Sequence, residues 1–230
     1  EEIYHVLCKV NTRKGPGPDD IPPRVLKIAA HVLARPLLTI YNTSLAQGIL
    51  PDIWKMSHIK PIPKCKPAND LKDFRPIALT SVMAKCLEKL LLKHFTPLIT
   101  DPHQFAYRPG RSTEDALLTS MDIISNHLDS HPKHFVESVF VDFTSAFNTM
   151  SPTVLINKLI EHNLHPNIIR WTYSYLTERS QMVISQNRKS AVLTTSTGSP
   201  QGCVLSPVLS CVFRHTRSER NYPTSVSAER

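Results

Sequence analysis

Phe140-Val141-Asp142-Phe143-Thr144-Ser145-Ala146-Phe147 puts one carboxylate at the end of a short apolar run and an aromatic side chain five positions beyond it. The β-branched and aromatic residues Val139, Phe140 and Val141 predict a short buried strand that ends at Asp142. A carboxylate at a strand end, followed by a turn, suits metal-assisted phosphoryl chemistry. Hard cations such as magnesium take oxygen ligands and need few protein carboxylates when phosphates supply the rest. The fold expected around this segment is α/β, a small antiparallel sheet packed on helices.

Downstream, Ser199-Pro200-Gln201-Gly202-Cys203-Val204-Leu205-Ser206-Pro207 reads as a loop over 198–202 that feeds an apolar helix from Cys203 to Phe213. Gly202 lets backbone come close to a bound molecule, and the Gln201 amide offers both a donor and an acceptor. Between the two segments, apolar spacing predicts helices over 152–162 and 166–177, with Pro166 suited to a first turn. Residues 181–195 read as a hairpin turning at Asn187 and Arg188.

Upstream, prolines and glycines over 11–23 exclude regular structure. The spacing of Leu26, Leu33, Leu37, Tyr41 and Leu45 predicts a helix over 23–45, kinked at Pro36 and stopped by Gly48. Residues 54–63 read as a proline-interrupted edge strand. A helix over 81–95 carries Leu87, Leu90 and Leu91 opposite a lysine-rich face. Ser112 and Asp115 form a capping box for a helix whose Leu117, Met121, Ile124 and Leu128 share one face.

The 230-residue chain has a formal charge of +8 and is 41% hydrophobic, which suits a globular protein with a polyanionic partner. The charge is concentrated. Nine Lys and Arg between 55 and 93 face only Asp70, Asp73 and Glu88, a net +6 within that stretch. Five scattered cysteines without a CxxC pair argue against a disulfide framework or a zinc site and fit a reducing, intracellular compartment. No apolar run is long enough to span a membrane. An opening on Glu1 rather than Met is expected of a piece of a longer protein.

Four segments in order carry a resemblance. They are Leu71-Lys72-Asp73-Phe74-Arg75-Pro76-Ile77-Ala78-Leu79-Thr80-Ser81, Gln104-Phe105-Ala106-Tyr107-Arg108-Pro109-Gly110-Arg111-Ser112-Thr113, the Asp142 segment and the Gln201-Gly202 loop. Together they resemble the reverse transcriptase domain of non-LTR (LINE-type) retrotransposons, over about residues 15–213. The resemblance implies a right-hand polymerase: a linker-like stretch over 1–22, fingers over 23–135, a partial palm over 136–213, and a divergent, disordered tail over 214–230. It implies template-directed nucleotidyl transfer, with RNA template, DNA primer and dNTP as partners. Asp142 is then the catalytic residue and a magnesium ligand, with the Phe143 carbonyl as a further ligand. Phe147 lies under the incoming sugar, Gln201 and Gly202 meet the nucleotide, and Arg75, Arg108 and Arg111 meet phosphates, for which guanidinium forks are suited. Lys64, Lys66 and Lys72 meet nucleic acid.

One departure is plain. The family holds two magnesium ions with the strand-end Asp and a later Asp-Asp pair, and no Asp follows Asp142 here. After Phe213 the chain turns into Arg-His-Thr-Arg-Ser-Glu-Arg-Asn-Tyr-Pro, as expected from a frameshift or missplice. The family's two-magnesium site is thus incomplete, and the chain is expected to be inactive alone; the alternative is a non-catalytic RNA- or DNA-binding remnant.

Overall fold

A computed structural model describes residues 1–142, 146–185 and 188–214. The chain opens with helix α1 (Glu2–Cys8), whose Ile3 and Leu7 are buried, so the stretch expected to be linker-like begins as a packed element. The following proline- and glycine-rich residues are irregular, as their composition requires, but they are anchored. Ser81 Oγ donates to Asp19 Oδ2 at 2.5 Å, and a Cβ on Gly17 would lie 2.7 Å from the Ser81 backbone.

Helix α2 (Pro23–Ile28) ends at Ala29, and α3 (Ala30–Gln47) then runs through Pro36 to a left-handed stop at Gly48, φ 69°. The break in the predicted 23–45 helix therefore falls at Ala29 rather than at the proline. A single turn, α4 (Asp52–Lys55), holds Trp54, which was expected in extended chain. Strands β1 (Ser57–Pro63) and β2 (Phe74–Leu79) form a hairpin. Helices α5 (Val82–Phe95), α6 (Thr113–Asp129), α7 (Pro152–Glu161) and α8 (Pro166–Leu176) follow. Strands β3 (Arg179–Ser185), β4 (Arg188–Lys189) and β5 (Leu193–Thr195), then α9 (Ser206–Arg214), complete the described strands and α-helices.

The sheet order is β2-β1-β3-β4, with β5 also on β3. β1 is antiparallel to β2 but parallel to β3, so the sheet is mixed, not purely antiparallel, and β1 is not an edge. The prolines explain both the expectation and its failure. Pro61 faces Pro76 in the β1–β2 ladder. Neither has an N–H, so the pair occupies a non-hydrogen-bonded site, where any N–H points away from the partner strand. On the other side of β1, pairing with β3 covers only Ser57 to Ile59 and stops before Pro61. The prolines thus open half of one side of β1 while its first half sits inside the sheet.

The core lies between helices α1, α3, α5, α7, α8 and α9. Trp171 is fully buried, stacks on Tyr175 at 5.4 Å and donates its indole N–H to Ser44 Oγ at 3.0 Å. Tyr41 donates to the Met83 carbonyl at 2.8 Å and meets Trp54 edge-on. The Ser112–Asp115 capping box is present, yet α6 has no buried residue. Residues 139–141 have no regular secondary structure and pair with no strand among the described residues, and Phe140 is 94% exposed. The expected buried strand fails for a physical reason: an all-apolar strand needs a neighbouring strand for its N–H and C=O groups and cover on both faces, and the described residues supply neither. No helix among the described residues is long and apolar enough to cross a membrane.

Candidate functional site

Strand alternation puts Ile59 of β1, Pro76 and Ala78 of β2, Arg179, Gln181 and Val183 of β3, and Thr195 of β5 on one face of the sheet. A cleft of about 370 Å³ lies between this face and two loops, one carrying Asn148 and the other Ser199, Pro200 and Gln201. A larger apolar groove of about 530 Å³ between α1, α3 and α5 shares no lining residue with it.

The ladder that places Pro61 opposite Pro76 also places Ile59 opposite Ala78 at a non-hydrogen-bonded site, so the Ala78 N–H points off the outer edge of β2. The Gln201 carbonyl accepts it at 2.6 Å, which docks the loop on the sheet. Gly202 follows at φ 115°, where a Cβ would sit 2.9 Å from the Ala78 carbonyl oxygen; only glycine fits this approach. The two loops are joined as well. The Ser199 N–H donates to the Phe147 carbonyl at 2.7 Å, and the Gly198 N–H to the Met150 carbonyl at 2.8 Å. The structure thus brings the Phe147 and Gln201 segments together, although about fifty residues separate them.

Two buried charged groups hold the arrangement, and neither was singled out from sequence. Arg179 is 6% exposed. Its Nε donates to the Leu176 carbonyl at 3.1 Å, and its Nη2 to the carbonyls of Thr197 at 2.6 Å and Gly198 at 3.1 Å. Desolvation holds the guanidinium below its ordinary pKa. Glu88, 1% exposed, accepts the N–H groups of Val204 at 2.7 Å and Leu205 at 3.0 Å on Oε2, at the entry to α9. Ser206 Oγ donates to the Pro200 carbonyl at 2.8 Å, closing the loop. The legible signal for Glu88 was a lone acid between Leu87 and Leu91 on the buried stripe of α5. For Arg179, which follows Glu178 at a strand start, sequence gives no such signal.

Burial raises the Glu88 pKa above the ordinary carboxylate range, the two backbone N–H donors opposing only in part. A carboxyl with a raised folded pKa binds its proton more tightly when folded. Its stabilising contribution is therefore complete below the unfolded value and is lost as pH rises through the folded one. Glu88→Gln, which mimics the neutral form, is expected to flatten the fall in stability from about pH 4.5 upward, measured by urea melts across pH. A variant with the same pH slope as the parent would show that Glu88 does not titrate as described.

The other predicted site residues are distributed differently. Arg75 alternates with Pro76 and Ala78, so it lies on the sheet face opposite the cleft. Lys64, Lys66 and Lys72 lie at the far end of the β1–β2 hairpin, where Lys64 Nζ donates to the Lys72 carbonyl at 2.7 Å and Lys72 pairs with Asp70 at 3.3 Å. Arg108 Nη1 donates to the Asp101 carbonyl at 2.8 Å, and Arg111 sits 5.6 Å over the Phe105 ring; both brace the turn before α6. Phe147 is half-buried and Asp142 exposed. Phe143 lies outside the described residues. Among those described, no group of three His, Cys, Asp or Glu side chains is placed to hold a metal ion. The acidic residues after Asp142 are Glu161, Glu178, Glu219 and Glu229. The donors present among the described residues do not fit a pair of magnesium ions.

Residues 62–223 match the model of the family described as reverse transcriptase (RNA-dependent DNA polymerase). Among curated relatives, the chain is 31% identical over 221 residues to the probable RNA-directed DNA polymerase from transposon BS of Drosophila melanogaster, covering 93% of this chain and 24% of that protein. It is 27% identical over 236 residues to the RNA-directed DNA polymerase from mobile element jockey of the same species, covering 100% and 25%. With the probable RNA-directed DNA polymerase from transposon X-element it shares 29% over 220 residues, 93% and 24%. The chain spans about a quarter of the length of these relatives.

Proposed function

Because the chain belongs to the reverse transcriptase family, in the branch of the non-LTR retrotransposons, we propose that it serves template-directed nucleotidyl transfer as the strand- and nucleotide-binding part of an RNA-directed DNA polymerase. The observation that carries this reading is the docking of the Gln201 loop on the outer edge of β2, which makes one cleft from two segments distant in sequence. In this reading an RNA template and its primer lie along the sheet, and fingers and palm meet at the cleft. Lys64, Lys66, Lys72 and Arg75, on the β1–β2 hairpin, track the strand's phosphates, while Gln201, Gly202 and Phe147 border the nucleotide. Arg108 and Arg111 reach phosphates from the turn before α6. Asp142, with the Phe143 carbonyl as a further ligand by resemblance to the family, would be this chain's contribution to a magnesium site whose other carboxylates the described residues do not provide.

Phosphate contacts release counterions, so affinity falls with salt at a log–log slope of about −0.7 to −0.9 per phosphate neutralised. Replacing Lys64, Lys66, Lys72 and Arg75 together with Gln is expected to flatten the slope for RNA binding by roughly 3. Titrations of labelled RNA over a range of salt concentrations measure it. An unchanged slope would remove the hairpin from the binding surface.

A further inference from the structure

Two apolar features lie away from the cleft and are left uncovered by the described residues. The first is the stripe of α6, where Leu117, Met121, Ile124 and Leu128 recur at i, i+4, i+7 and i+11. Leu117 is 61% exposed, Met121 55% and Leu128 42%. An amphipathic helix draws most of its stability from burying such a stripe, so a surface that covers α6 stabilises it. The second is the groove of about 530 Å³ between α1, α3 and α5. Its α3 wall is Ala34, Leu38, Tyr41 and Leu45, again at i, i+4, i+7 and i+11, and Leu87 and Leu91 belong to its α5 wall. Past the end of α5 it adjoins an open depression of about 660 Å³ at the start of α8, with Asn42, Leu45 and His94 lining both. Each stripe is about 16 Å long. The groove thus matches the uncovered helix in length and in the spacing of its apolar positions, and no α6 residue of the same chain lines it.

Charge selects the pairing. α6 carries Glu114, Asp115, Asp122 and Asp129 and no Lys or Arg, which is −4 in a chain of +8 and leaves +12 on the rest. Asp115, Asp122 and Asp129, seven residues apart, run along one flank of the apolar stripe. Asp115 is engaged with Ser112 in the capping box, which leaves Asp122 and Asp129. The groove's rim carries Glu1, the Lys93–Glu2 pair at 3.0 Å, His94 and Arg35. Arg35, one position beyond Ala34, flanks the α3 stripe as the aspartates flank the α6 stripe, and it is exposed. Two α6 helices packed on each other would instead set −4 against −4, which interfaces avoid. We propose that this groove takes α6 of a second copy of the chain, with Leu117, Met121, Ile124 and Leu128 against the α3 and α5 walls and Asp122 and Asp129 toward Arg35. Helix and groove are different surfaces, so the contact is head to tail and copies add in series. A single docked helix makes a small interface, below about 1,200 Å² in total, so association is expected in the micromolar range. The proposal does not rest on the strand-binding reading.

Sedimentation velocity of the nuclease-treated chain, from about 1 to 200 μM, tests it. The parent is expected to rise above its 26.0 kDa monomer as concentration increases. Two variants divide the interface: Leu117→Asp with Met121→Asp spoils the helix, and Arg35→Glu with Leu38→Asp spoils the groove. All four positions are exposed, and circular dichroism melts check that each variant keeps its fold. Each variant alone is expected to associate at least about tenfold more weakly than the parent. Mixed in equal amounts they retain one intact groove and one intact helix between them, and are expected to form a dimer and nothing larger. A parent that stays monomeric throughout would overturn the proposal. A groove variant that associates like the parent, while the helix variant does not, would point to packing of α6 on α6 and overturn it too. A mixture that stays monomeric, or association that appears only before nuclease treatment and so is bridged by RNA, would equally contradict it.

Discussion

Arg179→Met is expected to lower the unfolding free energy by about 3 kcal/mol, because it strips the partner from three buried or half-buried carbonyls at once. Each unsatisfied group of this kind costs about 1–3 kcal/mol; relief of the guanidinium's own desolvation, visible in its lowered pKa, offsets part of the sum. Met preserves much of the aliphatic volume, so the loss reports on the hydrogen bonds and not on a cavity. The same change releases Thr197 and Gly198, and with them the loop that ends on the edge of β2, so cleft-dependent RNA binding is expected to weaken alongside. Arg179→Lys keeps the charge but not the fork that reaches two separate turns, and should recover less than half of the stability. Urea unfolding of the three proteins measures this; a loss below about 0.5 kcal/mol for Arg179→Met, the range of an ordinary surface change, would show that the loop stands without the arginine.

The second large effect is a complete one. The purified chain is expected to incorporate no nucleotide on a primed RNA template at any magnesium concentration, although it binds that template. In-line displacement with two metal ions needs several carboxylates around the attacking and leaving oxygens, and Asp142 is the last aspartate in the chain. Primer extension followed on a gel measures it, beside an Asp142→Asn control. Extension that depends on magnesium and disappears in the control would contradict the expectation outright.

Features that depend on near neighbours were legible in the sequence. The stop at Gly48, the Ser112–Asp115 capping box, the start of α8 at Pro166 and the β3–β4 hairpin follow from residues within a turn or two of each other. In the hairpin, Arg188 pairs with Ser185 and so belongs to the strand, although it was expected in the turn; Asn187, expected beside it, lies outside the described residues. Features set by distant partners were not legible. Nothing near Glu88 announces that its carboxylate closes onto Val204 and Leu205, more than a hundred residues away. The parallel pairing of β1 with β3 joins segments some 124 residues apart, and local proline content argued for an edge instead. The apolar run before Asp142 reads as buried because local sequence records what a strand requires; it cannot record whether the partner is present. The family motifs singled out both the Gln201 loop and Arg75, but strand alternation puts Arg75 on the face opposite the cleft that Gln201 lines, and motif order carries no information about which face of a strand a residue occupies.

The measurement that bears most directly on the cleft as a strand site is photo-cross-linking of the chain to single-stranded RNA containing 4-thiouridine, with the attachment points mapped by mass spectrometry. Cross-links are expected at Gln181, Thr195 and Gln201 in the cleft, with further ones along the β1–β2 hairpin around Lys64 and Lys72. Cross-links confined to the groove between α1, α3 and α5, around Leu38, Leu90 and Lys93, would place the strand elsewhere and contradict it.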